Sequence, residues 1–163
     1  MLQVIIPMGG RATRFQERGY TFPKPLIEIG NQSMIELVIR NLAPPADSKF
    51  TFICRKEYIS EFYLGDMLRL LVPDCRILPL ERETAGALCS VLLAIDEIDP
   101  EGELLVANGD QYFASWLEAF LRSLSPARGG WLHSHFHRDP SPLVLCPNRC
   151  RGPRDLGGGE APD

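Results

Sequence analysis

The sequence lacks long apolar runs, and none of its hydrophobic stretches approaches the roughly 20 residues that a membrane-spanning helix requires. Its first ten residues also lack the basic segment and extended apolar core of a signal peptide. We therefore expect no membrane partner and a cytoplasmic location. In that compartment Cys54, Cys75 and Cys89 are expected to be reduced thiols.

An excess of basic charge is also missing. The formal net charge is −4 at pH 7, whereas a nucleic-acid-binding surface needs a basic face to contact phosphates. We therefore expect no nucleic-acid partner. The apolar content of 45% and charged content of 23% are typical of a globular domain with its own hydrophobic core.

Short apolar segments alternate with longer amphipathic ones through the first three-quarters of the chain. Strands are predicted at 2–7, 50–54, 75–80 and 103–107, and helices at 34–43 (capped by Ser33), 58–72, 84–95 and 115–124. This alternation predicts an α/β fold with a mostly parallel sheet and helices on both faces. Loops 8–32, 80–86 and 108–112 follow strands, so they should meet at the edge where such sheets bind ligands.

The loop after the first strand combines glycine with fixed positive charge. Gly9 and Gly10 allow backbone N–H groups to approach an anion closely. Arg11, Arg14 and Lys24 add cationic side chains suited to phosphate. The loop is neither a Walker A motif nor a GxGxxG dinucleotide fingerprint. It nevertheless predicts a phosphate-binding site.

Two segments of this loop resemble the sugar-phosphate nucleotidyltransferases, the group that includes the NDP-sugar pyrophosphorylases. The chain reads MGGRATRF at 8–15 and GYTFPKPL at 19–26, where the most similar subgroup has MAGRGSRF and the same second segment. The resemblance continues in FICRKE (52–57), LERETAGALCSVLLA (80–94) and ANGDQY (107–112), and covers about 1–124. Ala12 stands where that subgroup has the second glycine of MAGRGSRF. This departure has the clearest physical consequence, because alanine restricts the φ and ψ angles that the loop backbone can adopt.

The resemblance implies a Rossmann-like fold and a reaction in which a sugar 1-phosphate attacks the α-phosphate of an NTP. The products would be an NDP-sugar and pyrophosphate. Arg14 would hold the triphosphate and Lys24 the phosphates at the reaction centre. The nucleotide would be framed by the loop and by two residues further along the chain: Met8, Gly9, Gly10, Arg11, Thr84 and Gly86.

Asp110 is the candidate metal ligand. It follows the apolar strand 103–107 and therefore lies at that strand's carboxyl end, beside the glycine-rich loop. One carboxylate in this position can hold Mg²⁺ against phosphate oxygens. We therefore expect Mg²⁺ as the cofactor, with an NTP and a sugar 1-phosphate as substrates.

Two other functions remain open at this point. A glycosyltransferase shares a nucleotide-binding α/β architecture, although 108–110 offers one acid rather than an Asp-x-Asp motif. A non-catalytic nucleotide-binding module would bind NTP without releasing pyrophosphate. The sequence leaves open the base, the sugar and the oligomeric state, so association between copies is possible.

Residues 125–163 differ from the rest in being dense in glycine and proline, without helical or strand periodicity after 137. We expect this segment to be irregular and not natively folded, and the nucleotidyltransferase domain to be 1–124. The tail also carries ligand types that zinc prefers: His133, His135, His137, Cys146 and Cys150. A zinc site there is an alternative interpretation.

A shift of reading frame near 130–132 accounts better for the tail. Reading the same codons one nucleotide later permits a Thr-His-Pro-aromatic-Ser-Tyr-Ala run that is similar to the family's continuation after its Gly-Asp-Gln segment. The fold would then be incomplete at its C-terminus and lack part of the sugar pocket. We accordingly expect this chain to be weakly active or inactive.

Overall fold

The computed structural model describes residues 1–11, 13–42, 44, 47–112, 131–133 and 143–145. The described strands are β1 (Leu2–Met8), β2 (Glu28–Ile29), β3 (Gln32–Ser33), β4 (Lys49–Arg55), β5 (Arg76–Leu80), β6 (Glu103–Val106), β7 (Trp131–His133) and β8 (Leu143–Leu145). The described helices are α1 (Thr13–Gln16), α2 (Met34–Leu42), α3 (Lys56–Phe62), α4 (Leu64–Leu71) and α5 (Ala87–Leu92), with short 3-10 turns at Lys24–Leu26 and Ile95–Glu97.

The main sheet has the strand order β5-β4-β1-β6-β8-β7. Its first four strands are parallel, with β1 flanked by β4 on one side and β6 on the other. Strands β2 and β3 form a separate antiparallel pair within the long loop after β1. The predicted α/β fold with a mostly parallel sheet is therefore confirmed.

Helices cover both faces of the parallel strands, as predicted. Along β1, Val4 and Ile6 are fully buried in a cluster that includes α2, α3 and α4. Ile5 points to the other face, where it joins a smaller cluster with Val91 of α5. This alternation along one strand places a hydrophobic layer on each side of the sheet.

Two short strands lie within 125–163, the segment expected to be irregular. Strand β8 pairs antiparallel with β6, and β7 pairs antiparallel with β8. For these six residues the structure differs from the expectation, because β8 supplies backbone hydrogen bonds at the edge of β6 and β7 does the same at the edge of β8. The predicted helix 115–124 and the rest of the tail lie outside the described residues. The domain boundary and the frame shift stay predictions.

The ends of the helices are set by capping side chains and by backbone conformation more than by the spacing of apolar residues. Helix α2 begins where predicted, and the Glu36 N–H donates to Ser33 Oγ at 3.3 Å. The predicted helix 58–72 is instead two helices, because Tyr63 adopts a left-handed conformation with φ 53°. Across the described residues, no helix has the length and apolarity needed to cross a membrane.

Candidate functional site

The carboxyl ends of the parallel strands bring the three predicted loops to one edge of the sheet. Strand β1 ends at Met8 and leads into Gly9 and Gly10, while β5 leads into residues 81–86 and β6 into 107–112. Two cavities open at this edge, and both are lined by Pro7 and Gly10. The glycine loop therefore lies between them.

The first cavity has a volume of about 190 Å³ and brings together residues from loops far apart in sequence. It is lined by Pro7, Met8, Gly10, Lys24, Pro25, Asn108, Gly109 and Asp110. Within it, Lys24 Nζ donates a hydrogen bond to Asp110 Oδ2 and forms an ion pair with that carboxylate. The two side chains are 32% and 37% exposed, so both remain accessible to a ligand.

Lys24 is held by the proline-rich turn that surrounds it. Pro23 precedes the 3-10 turn, and Pro25 within it is buried. Because proline fixes its own φ angle, this segment has little freedom to move the lysine backbone. The Lys24 ammonium also lies 5.4 Å from the centroid of the Phe15 ring, within reach of a cation–π contact.

Asp110 depends on a close approach between the turn after β6 and the end of β1. A Cβ atom added at Gly109 would lie 2.9 Å from Met8 Cγ, closer than side chains tolerate. The missing side chain at Gly109 thus lets the turn pack against Met8, which is itself buried. This packing carries Asp110 to the position where it meets Lys24.

The second cavity has a volume of about 220 Å³ and lies on the other side of the glycine loop. It is lined by Pro7, Gly9, Gly10, Glu83, Thr84, Gly86, Ala87 and Ser90. The Thr84 hydroxyl donates to the Gly86 carbonyl at 3.0 Å, and its oxygen lies 2.6 Å from Ser90 Oγ. These contacts fix the 84–86 turn against the start of α5.

Three glycines line this cavity, and the missing side chain has different consequences at two of them, Gly9 and Gly86. A Cβ at Gly9 would lie 3.1 Å from Leu80 Cδ1, so packing against the sheet favours glycine there. A Cβ at Gly86 would meet nothing within 4 Å. Gly86 also has an extended backbone that any residue can adopt, with φ 164°. Glycine at position 86 therefore leaves the cavity open, but the backbone conformation of the turn does not require a glycine there.

An exposed ion pair lies beside the second cavity, with one member, Glu83, in its lining. Arg11 Nε lies 3.1 Å from Glu83 Oε2, and these side chains are 61% and 50% exposed. Glu83 thus both pairs with Arg11 and lines the cavity while staying half exposed. Arg14 lies in α1, but its side chain, like all of Ala12, is outside the described part of the structure.

Comparison with known proteins assigns the chain to a family. The family model described as the MobA-like NTP transferase domain matches residues 4–155. The chain belongs to this family. The match covers the whole edge described above and extends beyond residue 124, the predicted end of the domain.

Solved structures share the fold of this chain. A nucleoside-diphosphate-sugar pyrophosphorylase from Vibrio cholerae RC9 is 29% identical with a TM-score of 0.56, covering 69% of this chain and 51% of that one. A putative glucose-1-phosphate thymidylyltransferase from Bacillus anthracis, solved with a sucrose, is 19% identical with a TM-score of 0.67, covering 80% and 53%. An inositol-1-phosphate CTP transferase from T. maritima is 15% identical with a TM-score of 0.63, covering 76% and 49%.

The chain spans about half the length of these three structures. No curated protein sequence matches it significantly. Together the family match and the shared fold establish a nucleotidyltransferase domain with a Rossmann-like architecture. The base and the acceptor are not fixed by either comparison.

Two residues of this transferase edge were not among the predicted site residues, although Arg55 lies within the FICRKE segment (52–57). Tyr58 in α3 is buried, and its hydroxyl donates to the Gly10 carbonyl at 3.3 Å. Arg55 ends β4, where its guanidinium binds the Glu57 carboxylate with a shortest contact of 2.9 Å. The available signal was position alone, since both residues lie at or just beyond the carboxyl end of a central strand.

The residues near Asp110 fit a metal ion that is held partly by substrate phosphates rather than one held by protein side chains alone. Among the described residues there is no group of three or more His, Cys, Asp or Glu side chains that could hold a metal. Mg²⁺ in nucleotide sites is commonly held by one or two carboxylates together with substrate phosphates and water. A single accessible carboxylate in the first cavity fits that pattern. Of the zinc ligands considered for the tail, His133 lies in β7, and the other four lie outside the described residues.

Proposed function

We propose that this domain transfers a nucleotidyl group from an NTP to a sugar 1-phosphate. The observation that carries the proposal is the meeting of Lys24 and Asp110 in a cavity beside the Gly10 loop of an NTP transferase. Support for a sugar phosphate as acceptor comes from the nucleoside-diphosphate-sugar pyrophosphorylase that resembles this chain.

In this proposal each cavity receives a different part of the substrates. The nucleoside enters the second cavity, where Gly9, Thr84 and Gly86 frame it. The triphosphate crosses the Gly10 loop, with Arg11 and Arg14 supplying positive charge. The sugar 1-phosphate enters the first cavity beside Lys24. Two cavities on either side of the glycine loop suit a substrate whose base and reacting phosphate lie on opposite sides.

The chemistry is a displacement at the α-phosphorus. A phosphate oxygen of the sugar 1-phosphate forms a new bond to this phosphorus, and the bond to the bridging oxygen of the β-phosphate breaks. Pyrophosphate leaves with that oxygen. The protein's task is positioning and cancellation of negative charge, for which the Lys24 ammonium is suited. Asp110 would hold Mg²⁺, which supplies further charge cancellation when bound.

The Lys24–Asp110 ion pair has a consequence for substrate binding. Without substrate, each charge is partly neutralised by the other. Phosphate oxygens must compete with the Asp110 carboxylate for the Lys24 ammonium. A cation bound at Asp110 would relieve that competition, so metal and nucleotide binding should assist each other.

A pyrophosphate-release screen over NTPs and sugar 1-phosphates tests the proposal. It should include the chain itself and a frame-restored form, in which codons after Gly130 are read one nucleotide later. We expect release to need both substrates and to be much faster in the frame-restored form. Lys24→Ala should lower the rate by about 100- to 1,000-fold, as expected for loss of a charge clamp.

The matched control is Lys56→Ala. Lys56 is also ion-paired near this edge, to Glu81, but it lines neither cavity. Its loss should leave the rate nearly unchanged. NTP binding without pyrophosphate release in either form would contradict transfer and favour a non-catalytic nucleotide-binding module. Equal rates for Lys24→Ala and the unmodified protein would contradict the role of Lys24.

A further inference from the structure

A buried tyrosine outside the sequence motifs contacts the loop between the two cavities. Tyr58 in α3 is 8% exposed, and its hydroxyl donates to the carbonyl oxygen of Gly10 at 3.3 Å. Gly10 lines both cavities. The hydrogen bond therefore joins a helix packed on the sheet to the point where the cavities meet.

No side chain anchors Gly10 to the rest of the fold. Gly10 is exposed, and a Cβ atom built there would meet nothing within 4 Å. Without a side chain, glycine can rotate through conformations closed to other residues. A hydrogen bond from a fixed side chain is thus an effective means of holding one orientation of the following peptide.

The geometry of a trans peptide links this contact to the substrate side of the loop. The Gly10 carbonyl and the Arg11 N–H belong to the same planar group and point in opposite directions. When Tyr58 holds the carbonyl toward α3, the Arg11 N–H points away from α3. Rotation of the peptide would instead present the carbonyl oxygen, which repels phosphate.

We propose that Tyr58 is a positioning residue that orients the Gly10–Arg11 peptide so that the Arg11 N–H can donate to the phosphates of the bound nucleotide. This inference rests on the proposed function, in which the triphosphate crosses the Gly10 loop. Tyr58 itself touches the loop and not the substrate.

The surroundings of Tyr58 suit such a role. Its ring makes an edge contact with Phe62, with centroids 6.3 Å apart, and the Arg55 guanidinium lies 5.7 Å from its centroid. Arg55 is in turn bound by Glu57. Burial raises the pKa of Tyr58 above its ordinary value, with Arg55 acting in the opposite direction. The hydroxyl therefore remains a proton donor at neutral pH.

The test compares Tyr58→Phe with Tyr63→Phe in this chain. Both changes remove one hydroxyl, but Tyr63 is 69% exposed at the junction of α3 and α4. We expect Tyr58→Phe to weaken NTP binding by roughly three- to tenfold, the range for one net hydrogen bond. Binding of the corresponding nucleoside, which lacks phosphates, should stay unchanged. Tyr63→Phe should alter neither.

A spectroscopic measurement reports the same contact without any ligand. The carbonyl ¹³C resonance of Gly10 should move in Tyr58→Phe and not in Tyr63→Phe, because only the first variant removes its hydrogen-bond donor. An unmoved Gly10 resonance would overturn the inference. Equal loss of nucleoside and NTP affinity would also overturn it, since a general distortion would then be responsible.

The failure of this inference can be distinguished from failure of the proposed function. An unmodified chain that binds no NTP contradicts both. An unmodified chain that binds NTP with the same affinity as Tyr58→Phe contradicts the positioning role alone.

Discussion

Replacing Asp110 with asparagine should change NTP affinity in opposite directions with and without Mg²⁺. The substitution keeps the side chain's shape and removes its negative charge. In the free protein that charge is paired with Lys24. In the proposed complex it holds the metal. One carboxylate therefore competes with the nucleotide phosphates when metal is absent and supports their binding when metal is present.

The expected changes in NTP affinity can be estimated from the exposure of the Lys24–Asp110 ion pair and from the strength of contacts to charged groups. Because Lys24 and Asp110 are 32% and 37% exposed, solvent screens their attraction, and such pairs contribute at most about 1 kcal/mol. Freeing Lys24 should therefore tighten metal-free NTP binding by up to about fivefold. Contacts to charged groups contribute about 1.5–3 kcal/mol. Binding in Mg²⁺ should accordingly weaken by roughly 10- to 100-fold.

Calorimetric titration of NTP into each variant, in Mg²⁺ and in EDTA, measures both effects. Asp66→Asn is the matched control, because Asp66 is ion-paired with Arg69 on α4 and lines neither cavity. It should leave both affinities unchanged. A change of the same sign in the two buffers for Asp110→Asn would refute the reasoning, since the carboxylate would then have one role only.

Other substitutions probe the second cavity and the core. Gly86→Val should retain stability, because its Cβ meets open space, but NTP binding measured by calorimetry should be lost as the cavity fills. Phe52→Ala should lower the free energy of unfolding in urea by about 3–5 kcal/mol, because Phe52 is fully buried. Burial raises the pKa of Cys54 to about 12, so at pH 8 iodoacetamide should label exposed Cys89 before buried Cys54. Early labelling of Cys54, detected by mass spectrometry, would contradict its placement in the core.

The sheet, and the meeting of the loops that carry Lys24 and Asp110, could be predicted because they depend on repeated patterns. Alternating strands and helices determine a parallel sheet, and its carboxyl edge must collect the loops that follow the strands. That rule brought Lys24 and Asp110 together although they are far apart in the chain. The roles proposed for these residues depend on chemistry that stays to be tested.

Features that depend on the reach of single side chains could not be predicted. The Tyr58–Gly10 hydrogen bond joins a helix to a loop without any motif. The Arg11–Glu83 pair depends on how two loops fold toward each other. The left-handed Tyr63 interrupts a helix whose apolar spacing is continuous. In the first two cases the deciding contact is tertiary, so a local pattern does not encode it.

The products formed from an NTP and a sugar 1-phosphate, followed by ³¹P NMR, test the central claim most directly. Both the chain and its frame-restored form should be examined, with Lys24→Ala in each. The account predicts pyrophosphate together with a sugar-linked diphosphate, formed only when both substrates are present and slowed strongly by Lys24→Ala. Release of inorganic phosphate with an NDP, or no reaction with any pair of substrates in either form, would contradict it.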